Sequence, residues 1–275
     1  MGGIDYEVEY NNRARVPENP QLMAGWARDA AAYREKHPPQ LIRYGSAPRH
    51  VVDFFPGQGQ DNGKAPVVVF IHGGYWQALD GSAFSHLAGG LNAHGVGFAI
   101  PTYDLCPHVT VGKIIDEMRS AMRELARIRH GLVVSGHSAG GHLAACMLAT
   151  DWARFDSALP SDVVTSAYAI SGLFDLEPLV ATSINSALGL DAASARAASP
   201  LFWKPPARGS LDAVVGELES AEYLRQSRTI VEKWGSAGLA TRFGTVAAAN
   251  HFTAIAPLAD PGSLMTLRLK ELAGR

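Results

Sequence analysis

Short apolar runs rich in β-branched residues recur along the chain, separated by longer stretches in which apolar residues return at helical spacing. The runs predict strands at Val51 to Phe55, Val67 to Ile71, Val96 to Ile100, Leu132 to Ser135, Val163 to Ile170, Asp212 to Val215 and Arg242 to Val246. Helices are expected between most of them. That alternation predicts an α/β fold, a doubly wound and mostly parallel sheet with helices on both faces. An amphipathic helix is expected over about 19–37, with Asn19 as cap, Pro20 in the first turn and His37-Pro38-Pro39 as the stop. Its apolar face, Leu22, Trp26, Ala30 and Tyr33, reads as a packing face rather than a ligand site. Gly57-Gln58-Gly59-Gln60-Asp61-Asn62-Gly63 reads as a hairpin loop between the strands at 51–55 and 67–71. Residues 175–203 hold short helical pieces broken by Pro178, Gly189 and Pro200, in the place where a cap over the site is expected. The chain shows no internal repeat or linker, so 1–275 is expected to be one domain.

The strand at Leu132 to Ser135 breaks into Gly136-His137-Ser138-Ala139-Gly140, a GxSxG pattern followed by a helix-forming segment. Glycines on either side of the serine remove Cβ atoms where a strand reverses sharply into a helix, so the turn can present the Ser138 Oγ as a nucleophile. The helix N-terminus beside it favours developing negative charge. Upstream, Ala65-Pro66-Val67-Val68-Val69-Phe70-Ile71 runs into His72-Gly73-Gly74-Tyr75-Trp76. A loop of small residues at that place can bring backbone N–H groups to an oxyanion, with the N–H of Ala139 as a further donor.

Composition bounds the partners. Among 275 residues, 24 basic and 26 acidic side chains give a net charge of −2 and form no long run of one sign, so neither nucleic acid nor a membrane surface is an expected partner. No uncharged apolar run reaches the roughly 20 residues of a membrane helix. Cys106 and Cys146 are the two cysteines, and Met1-Gly2-Gly3-Ile4-Asp5-Tyr6 is neither basic nor followed by an apolar stretch; a reduced, cytoplasmic setting is expected. The glycines of 57–63 lack the strand-then-helix context of a dinucleotide site, and no cofactor is expected. His137 and His142 have the wrong helical spacing for two ligands on one face, so no metal is expected. The expected partner is a small-molecule amide or ester; a homodimer is left open.

A serine nucleophile needs a base and an acid, in the chain order serine, acid, histidine. Of ten histidines, His251 alone follows the last expected strand, in Ala248-Ala249-Asn250-His251-Phe252. The acid should follow the strand Leu211 to Val215, where Glu217 and Glu219 compete. Glu219 is preferred because it stands on the turn into the next helix; Glu217 suits a structural hydrogen bond, and Asp212 comes third. A carboxylate there would fix the tautomer of His251 and stabilise its imidazolium.

With these residues assembled, the chain resembles the kynurenine formamidase (arylformamidase) branch of the α/β-hydrolase superfamily over most of its length. The resemblance rests on Tyr10-Asn11-Asn12-Arg13, His72 to Gln77, Tyr103-Asp104-Leu105-Cys106-Pro107, Gly136 to Leu143, Ser171 to Pro178 and Val215-Gly216-Glu217. It implies Ser138 as nucleophile, His251 as base, and the amides of Gly73, Gly74, Tyr75 and Ala139 around the oxyanion hole. The family usually carries aspartate where Glu219 stands, and the extra methylene has to be accommodated. The implied reaction is hydrolysis of N-formylkynurenine to kynurenine and formate, with Tyr75, Trp76, Tyr103 and Phe174 as an aromatic wall for the substrate ring. The same machinery would serve a carboxylesterase acting on short-chain acyl esters. A catalytically dead binding protein of this fold is a third reading, disfavoured by the complete set of Ser138, His251 and a carboxylate.

Overall fold

A computed structural model describes residues 3–59, 65–129 and 131–274. Part of the glycine-rich segment 57–63 and the first two residues of the chain's opening therefore lie outside the described residues.

Eight strands form one sheet: β1 (Gln40–Arg43), β2 (Val51–Phe55), β3 (Val67–Ile71), β4 (Gly97–Thr102), β5 (Leu132–His137), β6 (Val164–Ile170), β7 (Ser210–Gly216) and β8 (Ala240–Val246). Their order is β1-β2-β4-β3-β5-β6-β7-β8. The β1–β2 and β2–β4 pairings are antiparallel, and every pairing from β4 through β8 is parallel. The doubly wound sheet is thus as expected.

Strand β3 shows why the central runs are continuously apolar. Val67, Val69 and Ile71 join the core beneath the helices Val111–Ala126, Ala139–Leu148 and Ala221–Ser236, whereas Val68 and Phe70 join the opposite layer with Phe84, Leu87, Leu258 and Leu269. A strand covered on both faces needs apolar side chains at every position.

Three expectations are corrected. First, β2 and β3 do not form a hairpin, because β4 lies between them in the sheet. All five residues of β3 are buried, the signature of a central parallel strand that needs a crossover, not a tight turn. Second, β1 was not anticipated: Gln40–Arg43 is an edge strand with exposed or half-buried side chains, so it carries no apolar signal. Third, Asn19 does not cap its helix. The helix Asn19–Lys36 takes Glu18 as N-cap, and the Asn19 amide donates to Val16 O (2.7 Å) and Arg13 O (3.1 Å), tying down the preceding turn. The helix ends at His37 as expected.

Strand β4 also runs past the expected Ile100 through Pro101 to Thr102. Its pairing with β3 stops at Ala99, so at Pro101 that side of the strand no longer needs a donor. Asp212, the third candidate acid, faces away from the nucleophile turn and forms a paired contact with Arg268, at 2.8 Å to Nε and 3.1 Å to Nη2. Among the described residues no helix is long and apolar enough to cross a membrane.

Candidate active site

The turn that carries Ser138 is built by close approach. At Gly140 a Cβ would stand 1.8 Å from Ile71 O, and at Gly73 it would stand 2.9 Å from His137 O and 3.0 Å from Ser138 Cβ. Only glycine lets β3, its following loop and the turn after β5 meet. Between them Ser138 adopts φ 57°, ψ −120°, a conformation that costs a non-glycine residue on the order of 1–3 kcal/mol. Ser138 N–H donates to Ile170 O (2.8 Å), and Ser138 O accepts from His142 N–H (3.1 Å), which hold the turn in place. Ala139 is the first residue of the helix Ala139–Leu148, so its N–H has no partner within the helix. Among the described residues the amides of Gly73, Gly74 and Tyr75 also donate to no protein acceptor. Gly74 (φ 105°) and Tyr75 (φ 49°) turn the backbone sharply there.

His251 lies on the loop after β8, with Nδ1 2.6 Å from Glu219 Oε2. Glu219 follows β7, and its other oxygen accepts from Gly216 N–H (2.8 Å) and from the Ser171 hydroxyl. Three donors on two buried oxygens leave the side chain one orientation. The extra methylene of glutamate is thereby accommodated. Glu217 is exposed and accepts from Ala248 N–H at 3.0 Å, a bond within the turn.

Two neighbouring histidines are tied to carbonyls. His137 Nε2 donates to His251 O (2.9 Å) and His142 Nε2 donates to Ala198 O (2.7 Å), so neither offers that nitrogen to a metal. Burial, with the adjacent His251, holds the His137 imidazole well below its usual pKa; burial pushes His142 down to about 4. His72 is buried beneath the oxyanion loop, stacked on Tyr103 with centroids 4.2 Å apart, and burial pushes it down to about 4. All three are neutral at pH 7.

A cavity of about 480 Å³ opens over Ser138 and His251, within the roughly 300–1,000 Å³ typical of small-molecule sites. Of the expected aromatic wall only Tyr75 lines it. Trp76, Tyr103 and Phe174 are fully buried: Trp76 packs edge-on against His142 (5.0 Å), Tyr103 donates to His72 O (2.9 Å), and Phe174 lies against Gly172. They support the loops from beneath. The aromatic lining is instead Tyr10, Trp26, Tyr75 and Phe252. Trp26, assigned to packing, does both: it contacts Phe84 and Phe252 at 5.3 and 6.0 Å and also faces the cavity. The segment 175–203 contributes only Ser183 and Ile184, while Glu7, Asn11, Asn12 and Arg13 form much of the rest of the wall.

Tyr223 was not singled out in the sequence. Its hydroxyl accepts from Asn12 Nδ2 (2.9 Å) and meets the Tyr75 hydroxyl (2.7 Å). Its ring stands 4.7 Å from that of His251. The Tyr75 proton goes to Tyr10 O, which can only accept, so the Tyr223 proton is the one left to share. Position 223 falls inside an ordinary amphipathic helix, and only the fold brings it beside His251.

No family model matches the chain. It is 30% identical over 243 residues to the kynurenine formamidase of Danio rerio, covering 85% of this chain and 81% of that protein. It is 31% identical over 219 residues to that of Salmo salar, covering 76% and 74%. The chain belongs to the kynurenine formamidase family. Among solved structures, a putative thioesterase from Silicibacter sp. TM1040 matches with a TM-score of 0.85 at 33% identity, over 96% of this chain and 98% of that one. An esterase from Pyrobaculum calidifontis shares the fold, with a TM-score of 0.73 at 16% identity over 93% and 92%. This kynurenine formamidase family member is therefore a hydrolase with the α/β-hydrolase fold.

Proposed function

We propose that the protein hydrolyses an aryl formamide, with N-formylkynurenine as substrate and kynurenine and formate as products, through a formyl ester on Ser138. The observation that carries this reading is the 2.6 Å contact between His251 and Glu219 beside a cavity that Ser138 also lines, in a chain whose relatives are named kynurenine formamidase. With Nδ1–H given to Glu219, His251 presents Nε2 as a lone pair. Ser138 Oγ attacks the formyl carbon as Nε2 takes its proton, and the amides of Gly73, Gly74, Tyr75 and Ala139 surround the negative oxygen. The imidazolium then protonates the aniline nitrogen as the C–N bond breaks. Water, deprotonated by His251, attacks the formyl ester, and the imidazolium returns that proton to Ser138 Oγ as formate leaves. An aryl amine leaves more readily than an alkyl amine, which suits an esterase-like site.

Arg13 supports an anionic substrate: it lines the cavity, and among the described residues its guanidinium has no acidic partner. Glu7, which also lines the cavity, is occupied by Ser183 N–H and Oγ, both at 2.7 Å. An α-carboxylate beside the aryl group would pair with Arg13.

The alternative is a carboxylesterase with the same triad, in keeping with the partial match to the Mycobacterium tuberculosis esterase LipC, 29% identical over 146 residues. Comparing kcat/KM for N-formyl-L-kynurenine and p-nitrophenyl acetate separates the two. The formamidase reading expects efficient turnover of both; ester cleavage with negligible formamide turnover would replace it with the esterase.

A further inference from the structure

Away from the cavity, three segments distant in sequence bring His50, Asp104 and Glu117 together. His50 precedes β2, Asp104 follows β4, and Glu117 lies on the helix Val111–Ala126. One ring nitrogen and two carboxylate oxygens lie within 4.8 Å of one another. His50 Nε2 stands 3.3 Å from Asp104 Oδ2 and 3.5 Å from Glu117 Oε1. Both separations exceed the roughly 2.7–2.9 Å of a charge-assisted hydrogen bond, and a single ring N–H cannot serve two carboxylates. Neither His50 Nε2 nor Glu117 Oε1 makes a hydrogen bond, although both atoms are buried and Glu117 as a whole is only 3% exposed. Two buried polar atoms 3.5 Å apart, on a carboxylate and an imidazole and neither with a hydrogen-bond partner, are costly unless a further group satisfies them.

We propose that His50, Asp104 and Glu117 form a binding site for a divalent transition-metal cation of the Zn²⁺ class. A cation about 2.0–2.1 Å from the His50 nitrogen and a carboxylate oxygen would turn the separations of 3.3 and 3.5 Å into angles of about 105° and 115°, either side of the tetrahedral value. A neutral imidazole with two carboxylates supplies two negative charges, which the cation balances. Each ligand is held in place. Glu117 Oε2 accepts from Asp104 N–H (3.0 Å), and the His50 ring stacks on Tyr44 with centroids 5.0 Å apart. The Asp104 side chain keeps 27% exposure, which leaves an entry path and a fourth position for water.

The site would act as a clasp on the oxyanion loop. Next to His50, Arg49 Nε donates to Tyr103 O (2.6 Å), and the Tyr103 hydroxyl donates to His72 O (2.9 Å). A cation fixing Asp104 therefore stiffens the chain that supports His72 and Gly73, while standing outside the reaction itself. The spacing of His137 and His142, on which no metal was expected, has no bearing on these three ligands, which come from separate segments and share no short motif.

The test uses tag-free, chelator-stripped protein. Zn²⁺ is titrated by calorimetry, and Co²⁺ is followed by its visible spectrum. One equivalent of Zn²⁺ with a raised unfolding temperature and an intense tetrahedral Co²⁺ spectrum is expected, both lost in His50→Ala and in the near-isosteric Glu117→Gln. Asp104→Asn serves in place of any variant that fails to fold. No saturable binding, or binding that persists in these variants, overturns the proposal and leaves the three groups as an internal ion cluster.

Discussion

Replacing Glu219 by glutamine keeps the shape of the side chain and changes only what it can accept. In the native site its two oxygens take His251 Nδ1–H at 2.6 Å, Gly216 N–H at 2.8 Å and the Ser171 hydroxyl, with no side-chain exposure. Glutamine offers one acceptor oxygen and one NH₂. If the oxygen stays with Gly216 and Ser171, the NH₂ meets His251 Nδ1 and forces a lone pair there, moving the ring proton to Nε2, where the serine proton must go. If the amide turns over, the NH₂ opposes Gly216 N–H at a cost of about 1–3 kcal/mol of stability. The first arrangement avoids that clash and should prevail. Acid-to-amide replacement in a serine triad lowers kcat by roughly 10⁴, or about 5 kcal/mol of barrier. Glu219→Gln is therefore expected to lose about 10³–10⁴ in kcat/KM on p-nitrophenyl acetate with near-native thermal unfolding. Glu217→Gln, altering an exposed bond to Ala248, should stay within about threefold. A Glu219→Gln enzyme within tenfold of wild type, or an equal loss in Glu217→Gln, would refute the assignment of the acid.

Ser138→Ala and His251→Ala should each abolish nearly all turnover, and the double variant should be no worse, because the triad acts as a unit; kinetics of the three variants check this. Tyr223→Phe removes the hydroxyl that holds Asn12 and Tyr75 beside His251, so kcat should fall by up to about tenfold, the worth of one hydrogen bond, with the fold intact by circular dichroism. Arg13→Ala should raise KM for N-formyl-L-kynurenine by about tenfold or more and leave neutral p-nitrophenyl acetate unaffected; equal effects on both would remove Arg13 as a carboxylate partner. Burial pushes His72 and His142 down to about 4, below the roughly 6.5 of the unfolded chain, so between those values the unfolded state binds more protons. Stability should be unaffected by these groups above pH 6.5 and fall on acidification toward pH 4, each adding a slope of up to about 1.4 kcal/mol per pH unit. Denaturant melts across that range measure it, and a flat profile would contradict the neutral, buried assignment.

The sheet was legible where a strand is covered on both faces, since β3 buries every residue and is an unbroken apolar run, and β5 opens on the buried run Leu132-Val133-Val134. It was not legible at β1, whose four residues have little to bury. Local pattern also could not tell a hairpin from a crossover, because the intervention of β4 between β2 and β3 is a long-range fact. At the candidate site, the sequence could propose Ser138, His251 and Glu219 because GxSxG demands a particular turn and chain order limits its partners, and the fold places Ser138 and His251 on one cavity with Glu219 bonded to His251. The aromatic wall could not. Trp76 and Tyr75 are adjacent in the same loop, yet one is fully buried and the other lines the cavity, and their direction depends on the positive φ angles at both. Trp26, Ser171 and Tyr223 reach the site from a packing helix, a strand end and a second helix, so nothing local marks them.

The central claim is that Ser138 carries the formyl group during cleavage of N-formyl-L-kynurenine. The measurement that tests it most directly is kynurenine release by wild type and Ser138→Ala side by side, with acid-quenched wild-type enzyme peptide-mapped for a formyl ester. Rapid release by wild type and a formyl adduct on the Ser138 peptide are expected, and neither in the variant. Turnover that survives in Ser138→Ala, or a wild-type enzyme that hydrolyses p-nitrophenyl acetate but leaves N-formyl-L-kynurenine intact, would contradict it.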